Sequence, residues 1–389
     1  MTRSLIILIL SLLLASCVDR PTPELLGTVR DSAGIALVDI PPDSDEGPVV
    51  TLAIDSAWGG AVELEVGELT DVLITPDERL IFLDAVAARV YTRPASDETW
   101  TIFGRQGEGP GEFSSRGLLG PLLATDSSVL VPDLDLQRIT EFSFEGEVLD
   151  VRPYPFMAYA VDWRPHRDGG LVFRSLDERG DALIHWAGSQ IDTLYSFPIV
   201  VETHNLILQP WALWDFTPDG RLVSGRSDEG AIVLRGNGAQ PSSRVIRFSI
   251  SEDPIGAEEE AFLLDLAVES VRVNQPGCTE ETLDAVRAAT TLPERAPLLA
   301  GIMVSPGGDI WVHRAKPVLS MGLQALRIGS AAGYGGERWD ILNTEGLFRA
   351  QVRLPKGFSP RQFAGPWLYG VIEAPAGMDT PARVRADLS

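Results

Sequence analysis

Positive charge is scarce in this chain: 32 Lys and Arg stand against 55 Asp and Glu over 389 residues, a formal net charge of −23. Nucleic-acid binding draws on clustered cations that displace counterions from phosphate, so nucleic acid is excluded as a partner class. Cysteine is scarcer still. Cys17 and Cys278 are the only two, so an oxidising compartment allows at most one intrachain bridge, and none if Cys17 is engaged elsewhere. The four histidines, His166, His185, His204 and His313, have no metal-ligand spacing and no accompanying cysteine. A G-x-S-x-G elbow is missing, which removes the simplest mark of a serine hydrolase. Asparagine numbers only four, leaving few amide oxygens for a Ca²⁺ site, which needs oxygen ligands. No catalytic residues and no cofactor are expected, with Ca²⁺ as the alternative.

What is present begins at the N-terminus. Arg3 precedes an apolar run of 11 residues, Leu5 to Ala15, too short to span a bilayer as a helix, so residues 1–16 read as a secretory signal. Leu14-Ala15-Ser16-Cys17 resembles a bacterial lipobox. That resemblance implies a lipid on Cys17 and a membrane as partner, several acyl chains giving the stable anchoring that one cannot. Val18 occupies the place where an Asp would favour inner-membrane retention, which by the same resemblance points to the outer membrane. Residues 17–27, with Pro21 and Pro23, read as a tether. Cys278, left without a partner, reads as a buried inert thiol.

Hydrophobic residues at 44% and charged residues at 22% predict a sizeable core over the rest. Turn clusters marked by Glu78, Ser127, Gly169, Gly220 and Gly308 recur at spacings of 49, 42, 51 and 88, each followed by a strand-like run such as Leu80 to Leu83 or Ile310 to Val312. Strand-turn units at such a period are propeller blades, the last gap holding one repeat plus an insertion. A finer repeat places Asp84 five positions before Arg89 and Asp133 five before Arg138, each pair predicted to face across a hairpin and fix its loop.

These repeats predict an all-β fold over 28–389: a six-bladed β-propeller of four-stranded antiparallel blades. Five blades fall at about 71–103, 118–153, 161–197, 211–250 and 301–354, and a sixth is begun by strands near 362–374 and 382–388. An N-terminal strand is expected to close the ring, Val49 to Ile54 being favoured over Gly34 to Ile40, which is left to cover an edge. Residues 252–297 differ in character. Phe262, Leu263, Leu266, Ala267 and Val271, then Leu283, Val286 and Ala289, fall at helical spacing, predicting a helical insertion between blades four and five.

Four segments carry a family resemblance: Arg30 to Ile35, Gly104 to Phe113 with its Gly-Glu-Gly-Pro-Gly-Glu-Phe run, Gly307 to Val312, and Trp367 to Val371. They are similar to those of bacterial six-bladed β-propeller lipoproteins related to NHL-repeat proteins. The resemblance implies the fold and an envelope location, and no particular activity.

Gly104 to Phe113 does not suit a phosphate loop, because Pro110-Gly111 opposes the helix such a loop must open. It reads instead as a tight inter-blade connection in which Arg105 pairs with Glu108 or Glu112. In a second reading it lies at the channel mouth, where Arg105, Glu108 and Glu112 would meet a ligand. Asp133 and Asp135 are the candidate metal ligands, although Asp133 already has a loop-capping counterpart in Asp84. Three functional classes follow: an anchored binding or scaffold module for an envelope protein or small ligand, favoured; a Ca-dependent lactonase-like hydrolase, betrayed by carboxylates converging in the channel; and a structural envelope component, betrayed by an apolar plug.

Overall fold

A computed structural model of the protein describes residues 25–41, 48–56, 58, 69–75, 77–94, 99–114, 122–125, 127–153, 159–166, 170–177, 180–187, 190–198, 207–237, 242–326, 335–372 and 380–388. The signal, Cys17 and most of the tether lie outside the described residues. Within them, one turn recurs. At Thr75 the N–H donates to the Arg79 carbonyl (3.1 Å), the Glu78 N–H donates to the Thr75 carbonyl (2.9 Å), and the Thr75 hydroxyl accepts from the Arg79 N–H (3.0 Å). Thr217 repeats this with Gly220 and Arg221, and Ser305 with Gly308 and Asp309. The fourth residue of each turn has positive φ, +62° at Glu78, +78° at Gly220 and +87° at Gly308, a conformation that costs a side-chain-bearing residue more than glycine.

The second repeated turn belongs to the Asp-Arg pairs. Asp84 accepts from the Ala87 N–H (2.9 Å) and Asp133 from the Leu136 N–H (2.9 Å), both carboxylates being fully buried. Each turn then passes through one positive-φ residue, Ala88 or Gln137, and Arg89 and Arg138 end up directly across the hairpin from their aspartates.

Among the described residues there are 26 strands. Three come first: β1 (Thr28–Ser32), β2 (Ile35–Ile40) and β3 (Val49–Thr51). Blade one is β4 (Leu69–Ile74), β5 (Leu80–Asp84), β6 (Arg89–Arg93) and β7 (Thr101–Phe103); blade two is β8 (Leu123–Ala124), β9 (Ser128–Asp133), β10 (Arg138–Ser143) and β11 (Val148–Pro153). Blade three is β12 (Tyr159–Pro165), β13 (Leu171–Asp177), β14 (Gly180–Ala187) and β15 (Gln190–Phe197). Blade four is β16 (Ala212–Phe216), β17 (Leu222–Arg226), β18 (Ala231–Leu234) and β19 (Arg244–Phe248). Blade five is β20 (Leu299–Val304), β21 (Ile310–Ala315), β22 (Gly335–Leu342) and β23 (Phe348–Arg353). Blade six has three strands, β24 (Phe358–Ala364), β25 (Trp367–Ile372) and β26 (Thr380–Arg385). The single run expected at 362–374 is a hairpin broken at Gly365, whose φ is +54°, so the C-terminus contributes one more strand than its apolar pattern suggested.

Central strands are buried on both faces, which explains their unbroken apolar runs. Ile81 and Leu83 of β5 meet Val129 and Val131 of blade two, whereas Leu80 and Phe82 meet Tyr369 and Val371 of blade six. Equivalent layers join blades two and three (Leu130, Phe173), three and four (Leu183, Trp214), four and five (Ile246, Ile302), and five and six (Trp311, Leu368). Six layers close a six-bladed ring.

The N-terminal segment runs along the outside of that ring. β2 lies parallel to β19, with β1 beyond it, and β3 lies parallel to β23. Closure at the last blade is made by the end of the favoured segment: Ile54 bridges Val384, the Asp55 N–H donates to the Arg383 carbonyl (2.9 Å), and the Asp55 carboxylate accepts from Arg383 (2.8 Å). Trp58 then packs edge-on against Tyr369 between blades six and one.

The insertion forms α1 (Ala257–Asn274) and α2 (Glu280–Ala289), the latter capped by the Thr279 hydroxyl on the Thr282 N–H (3.2 Å). Leu263 and Ala267 are buried against Leu208, Ala300, Val318 and Met321. Cys278 is half-buried in the surface turn between the helices, not enclosed, because Pro276-Gly277 carries the chain outward there. Among the described residues no helix is long and apolar enough to cross a membrane.

Candidate functional site

The innermost strands β4, β8, β12, β16, β20 and β24 surround an open channel of about 2080 Å³. The inner strands of neighbouring blades belong to separate sheets, and polar side chains bond backbone groups across the gaps between them. Asp71 accepts from the Leu122 N–H of the next blade (2.7 Å) and Asp215 from the Val304 N–H (2.8 Å). Gln362 accepts from the Ile74 N–H (3.0 Å) and donates to the Ile74 carbonyl (3.2 Å), stitching blade six to blade one.

Charge inside the channel comes from several blades. Burial pushes the Asp71 carboxyl above the usual aspartate range, opposed by Arg361 of β24 and, more weakly, by Arg164 of β12. Arg361 sits where the β24–β25 register slips between Pro360 and Gln362, a bulge on the channel wall. Arg164 stands 3.5 Å from the Asp215 carboxylate. At the end of the ring where β21 and β23 finish, Arg314 and Arg338 both bond the buried carboxylate of Asp340 (2.6 and 2.7 Å). Lys316, Arg353 and Lys356 line the same end; among the described residues none of them makes a direct ion pair with a carboxylate, and Arg361 acts on Asp71 only from beyond direct contact.

His313 lies beside these cations. Its ring stacks on Trp339 with centroids 4.2 Å apart, and Gly335 leaves the space it fills, since a Cβ there would sit 2.0 Å from the ring. Its Nε2 is 2.7 Å from the Gly336 carbonyl oxygen, which can only accept, so Nε2 carries the proton of the neutral ring. Burial, reinforced by the Lys316 charge, pulls its pKa down to about 4.

The residues singled out from sequence lie elsewhere. Arg105 bonds Glu112 (2.8 Å), whose other oxygen accepts from the Gly109 N–H (2.8 Å); that amide first, then the guanidinium, holds the Glu112 carboxyl below its usual range. Arg138 braces the loop from beneath, donating to the carbonyls of Glu108, Gly109 and Glu112 at 2.8 Å each. Phe113 plugs the layer between blades one and two, and neither Arg105, Glu108 nor Glu112 is among the channel-lining residues.

Asp133 spends one oxygen on Leu136 N–H and the other on Ser114 N–H (2.8 Å), while Asp135 accepts from the Ser114 hydroxyl (2.5 Å). A buried carboxylate so committed does not fit Ca²⁺, which takes six to eight oxygens. Among the described residues no three His, Cys, Asp or Glu side chains converge as a metal site. Sequence reasoning missed Arg361, Lys316 and Lys356. The available signal for the last two was rarity: Lys316 and Lys356 are the chain's only lysines, each placed just beyond a strand of blade five, whereas nothing set Arg361 apart from the other arginines.

Six blades around an open, charged channel define a six-bladed β-propeller. No protein-family model and no curated protein matches the sequence. Among solved structures, the fold is similar to a calcium-binding regucalcin from Agrobacterium tumefaciens (12% identity, covering 87% of this chain and 97% of that one, TM-score 0.45). It is similar also to virginiamycin B lyase from Staphylococcus aureus (10%, 94% and 96%, 0.46). Likeness at these values is one of outline and brings no activity to this chain.

Proposed function

We propose that this chain is a binding module of the bacterial cell envelope that takes a small ligand into its central channel, tethered to a membrane through a lipid on Cys17. The open channel carries this reading. An apolar plug would suit a structural component, whereas this lumen is lined by charged and aromatic side chains. The tether adds an orientation. Leu26 pairs with Phe348 at the start of β23, the opposite end of blade five from Lys316 and Lys356. Nine extended residues from Cys17 reach roughly 30 Å, so that end would face the membrane and the lysine end would face away.

The experiment is native mass spectrometry of the full chain purified from its own membranes. A bound small molecule is expected on the wild-type chain and lost from Gly301→Phe, which puts a bulky side chain on a channel-lining residue of β20 where a Cβ meets only ordinary contacts, 3.6 Å from His313. Retention of the molecule by a folded Gly301→Phe would place binding outside the channel and overturn the proposal.

A further inference from the structure

The channel's charge runs against that of the chain. Acidic side chains outnumber basic ones 55 to 32 overall, yet the described lining residues include seven Arg or Lys and three Asp or Glu. Both of the chain's lysines are among them. Some of this charge is internal structure: Arg314 and Arg338 serve Asp340, and Arg164 meets Asp215. Lys316, Arg353, Lys356 and Arg361 make no direct ion pair among the described residues, in a protein whose sequence offers carboxylates in abundance. Asp71, the acid nearest Arg361 in effect, is bound to two backbone N–H groups of its own wall.

A cation on a convex, acidic surface is neutralised by its neighbours. Gathered around one concave channel, several cations sum their fields and draw an anion in more strongly than a lone lysine on an acidic convex surface does. Aromatic walls adjoin them: Phe363 lies two residues beyond Arg361, and half-buried Trp211 and Phe216 line the lumen across the ring. Such a lining suits a molecule with an acid group at one end and an apolar body at the other.

Taking the channel as the binding site, as proposed above, we infer that its ligand is an organic anion, a carboxylate or phosphate ester with an apolar body, whose acid group is held by Arg361, Lys316 and Lys356. Positive charge at the lysine end steers the anion in, and Phe363 meets its body. Asp71 opposes the anion and limits how tightly it is held.

Four probes sharing one ring test this by calorimetry on the full chain: 2-naphthylacetate, 2-naphthyl phosphate, the neutral 2-naphthylacetamide and the cationic 2-naphthylethylamine. At least one acid is expected to bind tenfold or more tighter than the amide, with the amine weakest, and to weaken as salt rises. Arg361→Gln and Lys356→Gln alter exposed side chains and leave the fold intact. Each is expected to cost the acid fivefold or more and leave the amide unchanged, whereas Arg361→Lys restores most of the affinity. Equal binding of acid and amide would overturn the anion inference and leave the channel reading standing. Failure of both acids to bind would overturn the inference as well, and the Gly301→Phe comparison judges the channel independently.

Discussion

Neutral His313 shows how one side chain couples packing to pH. Between its folded pKa of about 4 and the ordinary 6.5, the unfolded chain binds a proton that the folded chain does not. The histidine's contribution is therefore fully present above pH 6.5 and is lost as pH falls toward 4. At 1.36 kcal/mol per unit, the loss is on the order of 3 kcal/mol. Urea unfolding at pH 7.5 and 4.5 should show it for the wild type, and His313→Phe should lose less stability between those values. Equal losses would place the acid sensitivity elsewhere. No sequence pattern marked this residue, because its neutrality depends on Trp339 and Gly335, which arrive from the next strand.

At the scale of elements, what was local in sequence was legible. The markers Glu78, Gly220 and Gly308 are the positive-φ positions of one turn, and the Asp-Arg spacing of five is a hairpin whose aspartate caps its own loop. The Gly104 to Phe113 connection was legible as a tight turn, and Arg105 does bond Glu112. Its real brace was not, since Arg138 comes from β10 of the next blade. Hydrogen bonds from a charged donor contribute about 1.5 to 3 kcal/mol and do not add simply. Arg138→Ala should therefore lower stability by about 2 to 4 kcal/mol and raise amide exchange across 105–113, while Arg89→Ala, whose side chain is exposed, should change little. Comparable losses from both would contradict this division. The hairpin at Gly365 escaped notice because two apolar strands separated by so short a turn read as one run.

For the whole molecule, six blades were countable because each repeats its own turns, whereas the path of the N-terminal segment was not. Its partners β19, β23 and β26 lie some 200 to 330 residues away, and parallel pairing leaves no hairpin signature. This belt buries Val38, Ile40 and Leu52. Each such side chain contributes about 1.5 to 3 kcal/mol, a sum comparable with the 5 to 15 kcal/mol net stability of a domain. A chain starting at residue 25 should melt like the full chain, and one starting at residue 60 should aggregate or be cleaved readily by protease. Equal melting temperatures would mean that the ring closes without its belt.

The two lysines allow the channel to be watched directly. Acylation of the full chain by a small amine-reactive ester, followed peptide by peptide in the mass spectrometer, reports Lys316 and Lys356 separately. If an organic anion sits between them, saturating 2-naphthylacetate slows the modification of both at least tenfold, and 2-naphthylacetamide slows neither. Identical rates for both lysines with and without the acid would contradict a ligand-binding channel of this charge.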